Sequence, residues 1–231
     1  MSIFLEAKLV CTNCGTENGV DLAASVNADL RPDLRDAILN GSFQAIACEK
    51  CGTALRIPAH LTYIDIGRGQ WTLVESFASM PAWKEAEEAA KTSYDLCFGS
   101  KASDAAREIG EGLTPRLTFG WPALREKLVC ADLGLQDTEL ELLKMSIIAN
   151  VAQPPASDQT ELRLTGGDGE KLDFAWSVSG SEQIVASLEV PRDAYDDVVD
   201  DADDWAPLRA EFDGNLFVDM KRLVSGSGLS A

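Results

Sequence analysis

Apolar and polar residues alternate from Phe4 to Val10 and again from Gly19 to Asn27, where Val20, Leu22 and Val26 are the apolar positions. A period near two predicts two extended segments, interrupted by a cysteine-bearing turn. The spacing then changes. Arg31–Asn40 places Leu34, Ile38 and Leu39 beside the preceding Leu30 at helical intervals, with Pro32 in the first turn and Asn40-Gly41 as a stop, and predicts a helix. A second cysteine turn follows, and Leu61–Ile66 and Gln70–Val74 alternate around Gly67-Arg68-Gly69, the pattern of a β-hairpin.

The middle of the chain reads as helical. Trp83, Ala86, Ala90, Tyr94 and Cys97 form one stripe over Pro81–Phe98, and Gly99 marks its end. Further helices are predicted at Pro122–Ala131 and at Asp137–Val151, the latter with Leu140, Leu143, Ile147 and Ile148 inward. Gln153-Pro154-Pro155-Ala156-Ser157 breaks the pattern and predicts a boundary. Beyond it Glu161–Thr165 and Lys171–Trp176 alternate around Gly166-Gly167-Asp168-Gly169, and Ile184–Val190 supplies a third strand. Pro191–Trp205 returns to helical spacing, and Gly214–Val224 holds a strand or short helix before a Ser/Gly tail expected to fray. The fold class is therefore α+β, in three regions: a β-rich module at 1–78 with a helical insertion, a helical region at 79–152 packed on it, and a small acidic α/β region at 153–231.

The clearest chemistry lies in the two cysteine turns, Cys11-Thr12-Asn13-Cys14-Gly15-Thr16 and Cys48-Glu49-Lys50-Cys51-Gly52-Thr53. A C-x-x-C turn lets two thiolates converge on one ion while turn amides point at the sulfurs, and the following Gly accepts left-handed backbone. Two such turns predict one structural zinc per chain, held by Cys11, Cys14, Cys48 and Cys51 in a zinc-ribbon-like module. A redox pair normally opens a helix, whereas both pairs here run into Gly-Thr and an extended segment. A catalytic zinc keeps an open position, which four cysteine ligands fill.

The order C-x-x-C-G, Ser25-Val26-Asn27-Ala28, a helix ending Leu39-Asn40-Gly41, a second C-x-x-C-G and an apolar segment with Tyr63 and Asp65 resembles the bacterial CpXC family. Phe119–Lys127 and Glu139–Lys144 resemble its helical continuation, so the likeness runs from residue 8 to about 150. It implies that the four cysteines are metal ligands and implies no reaction. The family's knuckles are typically Cys-Pro-X-Cys; Thr12 and Glu49 stand at the proline positions here.

Charge narrows the function. The chain has 20 basic and 38 acidic residues among 231, a net −18, which disfavours binding to nucleic acid. The excess is uneven: residues 151–231 hold six basic and seventeen acidic side chains. No stretch has the length and apolarity of a membrane span, and Glu6 interrupts the apolar start, so a cytoplasmic protein is expected. His60, the single histidine, and Cys97 and Cys130 read as surface or packing residues, and the glycine loops as turns. Seven Asp fall within Asp193–Asp204, too irregular for a calcium loop because Ala202 and Trp205 occupy required positions. A helical wheel puts Tyr195, Val198, Val199, Ala202 and Trp205 on one face and leaves Asp197, Asp200, Asp201 and Asp204 as a solvated face or a docking surface for a basic protein. The expected function is a zinc-stabilised, non-catalytic protein-interaction or adaptor protein. The alternatives are an enzyme component with a site between the zinc module and the carboxy-terminal region, and a nucleic-acid-associated regulator.

Overall fold

The computed structural model describes residues 1–151, 155 and 159–226. Most of the predicted break at Gln153–Ser157 and the Ser/Gly tail beyond 226 lie outside them. The chain is mixed α+β and divides into two compact units: residues 1–80 with 92–121, and residues 81–91 with 122–231.

In the first unit β1 (Ile3–Val10) and β2 (Glu17–Asn27) pair antiparallel, with the first cysteine turn as their connection. Helix α1 (Pro32–Leu39) follows, begun by Pro32 and ended at Asn40 with Gly41 at φ 79°. The short strands β3 (Ala45–Ala47) and β4 (Ala54–Arg56) form a second antiparallel pair around the other cysteine turn. The predicted hairpin is β5 (Leu61–Asp65) and β6 (Gln70–Glu75). Asp29 accepts the Ile66 and Gly67 amides at 2.7 and 2.9 Å, which fastens its turn.

A short 3₁₀ turn over Phe77–Ala82 leads into helix α2 (Trp83–Phe98), whose first residues belong to the second unit and whose last belong to the first. Helix α3 (Asp104–Glu111) is capped by Ser103, whose hydroxyl accepts the Ala106 amide. Strand β7 (Thr114–Phe119) corrects the all-helical reading of the middle region. Leu117, Thr118 and Phe119 are buried, and the strand completes the sheet β1-β2-β5-β6-β7 as the parallel neighbour of β6. Its Pro115 is tolerated because β7 is an edge. In this unit's core Trp121 donates its indole N–H to the Ile57 carbonyl at 2.8 Å and meets Phe43 edge-on.

The second unit contains α4 (Trp121–Asp132, from Pro122 on), α5 (Asp137–Asn150), the antiparallel meander β8 (Thr160–Gly167), β9 (Lys171–Val178) and β10 (Ile184–Pro191), then α6 (Asp193–Asp200), α7 (Ala202–Ala210) and α8 (Lys221–Gly226). Leu140, Leu142, Leu143 and Ile147 of α5 share one core with Leu162, Leu164, Leu172, Phe174 and Trp176. The boundary expected near 153 therefore does not divide compact units: a helix with Leu on several sides needs the sheet to cover it. The acidic helix is two helices broken at Asp201. Tyr195 and Val198 are buried but Val199, in the same helix, is exposed, so the apolar face is narrower than the wheel predicts, and the break at Asp201 separates it from Trp205. Among the described residues no helix is long and apolar enough to cross a membrane.

Candidate metal centre

Each cysteine turn is closed by the same two backbone bonds. The Gly15 amide donates to the Cys11 carbonyl and the Cys11 amide to the Thr16 carbonyl, both at 2.9 Å; Gly52 to Cys48 and Cys48 to Thr53 repeat them at 2.8 Å. Gly15 and Gly52 sit at φ 70° and 72°, a left-handed conformation that makes both glycines functional parts of the turns. Because the turns cap two antiparallel strand pairs, the pairing registers carry all four sulfurs to one place, mutually within 4.8 Å.

Cys11 Sγ lies 3.7 Å from Cys51 Sγ, and Cys14 Sγ lies 3.7 Å from Cys48 Sγ. Four sulfurs about 2.3 Å from a central ion would be about 3.8 Å apart along the edges of a tetrahedron. The donor set and its spacing thus fit a four-thiolate metal ion, and the six cysteines form no disulfide. Polar groups lie beside the sulfurs. The Thr16 hydroxyl is 3.4 Å from Cys14 Sγ, the Thr53 hydroxyl is 3.2 Å from Cys51 Sγ, and the Asn13 side-chain amide donates toward Cys51 Sγ at 3.6 Å. The Thr53 hydroxyl and amide, with Asn13, pull the Cys51 thiol down to about 5. At Cys11 the Cys14 amide acts in the same direction, but desolvation and the Cys48 and Cys51 sulfurs outweigh it and push the thiol up to about 11. Such a split is what four thiols sharing one space produce, since each lost proton makes the next harder to lose.

Asn18 was not singled out by its pattern, yet it joins the two turns. Its side-chain amide donates to the Thr16 and Leu9 carbonyls at 3.0 and 3.3 Å, while its oxygen accepts the Glu49 amide at 2.9 Å, and Asn18 itself is buried. A proline at position 49 would remove that last donor, so Glu49 in place of the usual proline keeps a tie between the knuckles.

The other sequence candidates fall elsewhere. His60 is exposed and pairs with Glu75 at 2.8 Å, Cys97 is exposed, and neither joins the cysteine group. Cys130 is buried, which pushes its thiol up to about 12. The Gly67-Arg68-Gly69 and Gly166–Gly169 segments are hairpin turns, and Asp168 Oδ1 accepts the Glu170 and Lys171 amides of the latter. Asp197, Asp200, Asp201 and Asp204 are all exposed.

A second cluster, missed in the sequence, lies in the other unit. The carboxylates of Glu126, Glu141 and Asp219 come as close together as the thiols do, and all three are buried. Lys144 Nζ donates to Glu126 at 3.0 and 3.1 Å and to Glu141 at 2.8 Å. Arg163 donates to Glu126 at 2.8 Å, Asp219 at 2.7 Å and Glu161 at 2.8 Å. Burial opposes ionisation of Glu126 and Asp219, but Lys144 and Arg163 prevail and hold both below their usual values. At Glu141 burial, aided by Asp219 and Glu126, exceeds the pull of Lys144 and raises the pKa to about 7. The available signal was Glu141 and Lys144 three apart within a run of Leu that leaves α5 no polar face.

A family model described as CpXC protein matches residues 9–144. The chain belongs to the CpXC family. No curated protein and no solved structure matches it. The CpXC match takes in both cysteine turns and ends within α5, before β8 begins. Glu126, Glu141 and Lys144 thus fall inside the CpXC portion, while Glu161, Arg163 and Asp219 are added by the chain beyond it.

Proposed function

We propose that this CpXC protein is a zinc-stabilised, non-catalytic protein-interaction module of the bacterial cytoplasm, with one structural Zn2+ held by Cys11, Cys14, Cys48 and Cys51 in a zinc-ribbon-like frame. The observation that carries the reading is the four-sulfur cluster at the end of an exposed edge strand. Four thiolates fill the coordination of zinc and leave no position for a substrate or an activated water, so the ion serves as scaffold. Cys11 directly follows β1, and Leu9 packs against Cys11, Cys48 and Leu55, so the ion would pin one end of that strand. Apolar side chains on an exposed edge suit a protein partner, and a net charge of −18 disfavours a nucleic acid.

The acidic residues Asp197, Asp200, Asp201 and Asp204 offer a second contact, to a basic protein, whose association would weaken with salt. The test is in-cell photo-crosslinking from position 4 on β1 and from position 197. Protein adducts from position 4 that are lost in Cys14→Ser support the reading; no protein adduct from either position overturns it.

A further inference from the structure

We infer that the occupant of the β1 edge is a second copy of this chain, paired antiparallel about a two-fold axis at Ala7, so that two five-stranded sheets continue into one. This rests on the protein-interaction reading and names its partner. Strand β1 is the outermost strand of its sheet, bonded on one side to β2 and carrying no Pro or Gly over Ile3–Val10. The opposite edge, β7, carries Pro115, which cannot donate to an added strand. On β1 the side chains of Ile3, Phe4, Leu5 and Val10 are left 47, 38, 57 and 55% exposed. A long apolar edge is a template for a further strand unless something guards it. The only charges on β1 are Glu6 and Lys8, and their spacing selects a partner rather than repelling all of them.

In an antiparallel pair, opposed residues both turn their backbone groups toward the partner or both away, so a symmetric pairing must centre on a residue. Centred on Glu6 it opposes two glutamates; centred on Lys8 it opposes two lysines. Centred on Ala7 it sets Glu6 against Lys8 of the other copy twice, Phe4 against Val10 twice and Leu5 against Leu9 twice. The Glu6–Lys8 and Phe4–Val10 pairs then meet on one face and the Leu5–Leu9 pairs on the other, since Phe4, Glu6, Lys8 and Val10 share one side of the strand.

The environment of Glu6 argues for the same arrangement. On the inner side it stands in register with Asp21, a like charge, and among the described residues it makes no ion pair or hydrogen bond. Lys8 reaches Glu17 at 2.7 Å but remains exposed, and an ammonium has further donors for a second carboxylate. On the other side of the strand Leu5 lines a cleft of about 130 Å³ with Leu22, Ile57, Pro58 and Trp121. The added strand would bring Leu9 of the second copy opposite Leu5, beside that apolar cleft. One strand pair per dimer is a small interface, so the dimer is weak and depends on concentration.

Sedimentation of the purified, metal-loaded chain over a range of concentrations, with two single variants, tests the register. Glu6→Lys leaves only lysines at positions 6 and 8, and Lys8→Glu leaves only glutamates. Each alone should weaken self-association about tenfold or more, as opposed like charges replace attractive pairs. Mixed one to one, the two variants should associate with each other at least as well as the wild type does with itself. A wild type that stays monomeric throughout, single variants that dimerise as before, or a mixture that does not associate overturns the proposal. In-cell adducts to a different protein from position 4 would leave the interaction reading standing while the homodimer fails.

Discussion

The two units each gather acidic groups into one small volume, and they neutralise them in opposite ways. In the second unit Glu126, Glu141 and Asp219 are brought together with Lys144 and Arg163 already between them, so the chain supplies its own counter-charge. In the first unit Cys11, Cys14, Cys48 and Cys51 are gathered with only hydroxyls and amides beside them, the Thr53 hydroxyl and the Asn13 amide next to Cys51 and the Thr16 hydroxyl next to Cys14, and among the described residues no lysine or arginine bonds to the four sulfurs. In one cluster the chain's own ammonium and guanidinium groups lie between the carboxylates. The other has no such group of its own, and its four sulfurs are spaced so that they could hold a metal ion. Proximity of acidic groups alone does not mark a metal site; what lies between them does.

The largest expected effect separates the units by metal. Removing the ion with a chelator, or replacing Cys14 by Ser, should abolish protection from hydrogen exchange in both cysteine turns and the ends of β1 and β2. The apparent binding energy of such sites in small zinc modules is on the order of 10 to 16 kcal/mol and is spent on folding them. Peptides from β8–β10 should exchange as before. Equal loss in both units would show that the clusters do not differ in the way described.

Next in size is the counter-charge experiment. Lys144→Met takes from the buried Glu141 the cation bonded to it and from the buried Glu126 one of its two, leaving Arg163, and should cost about 3 to 5 kcal/mol in denaturant unfolding of the second unit. Bound metal per chain should not change. A cost below about 1 kcal/mol would mean that water or another cation already serves the carboxylates.

The pH dependence should follow the same division. Glu126 and Asp219 are held below their ordinary 4.5 and 3.8, so their contribution is complete above those values and is lost as pH falls through the folded ones. The second unit should therefore weaken below about pH 4. Glu141 has the opposite sign: raised from 4.5 to about 7, it keeps a proton that the unfolded chain releases, and stability declines as pH rises across that interval. In Glu141→Gln that decline should vanish from unfolding curves measured at several pH values, and a decline that persists would refute the assignment.

Asn18 offers a finer cut within the first unit. Asn18→Ala leaves the Glu49 amide and the Thr16 carbonyl without this buried partner, at about 1 to 3 kcal/mol, and should speed loss of metal to a chelator while leaving its amount unchanged. The smallest effect belongs to the acidic face. Changing Asp197, Asp200, Asp201 and Asp204 to Asn should leave stability unchanged or slightly raised, at roughly 0.2 to 0.5 kcal/mol per relieved helical pair, in thermal unfolding.

What the sequence disclosed follows the same contrast. The cysteine turns were legible because a local signature, C-x-x-C-Gly-Thr, encodes both donors and backbone, and it occurs twice. Most strands and helices were legible for a similar reason, their periods being local. Strand β7 was not, because Thr114-Pro115-Arg116 hides the alternation and its strand state comes from pairing with β6. Nor was the ionic cluster, whose members at 126, 141, 144, 163 and 219 meet only through tertiary packing. Asn18 escaped because its three bonds join turns more than thirty residues apart. The break at Asp201 escaped because the wheel assumes a continuous helix.

The central claim, that the thiol cluster takes its missing counter-charge as a structural zinc with a closed shell, is tested most directly by zinc-edge X-ray absorption on the purified chain. The account predicts one zinc per chain with four sulfur neighbours at about 2.3 Å and no lighter scatterer in the shell. A chain without zinc when purified under metal-replete conditions, or a zinc with fewer than four sulfurs and an oxygen or nitrogen in the remaining place, would contradict it.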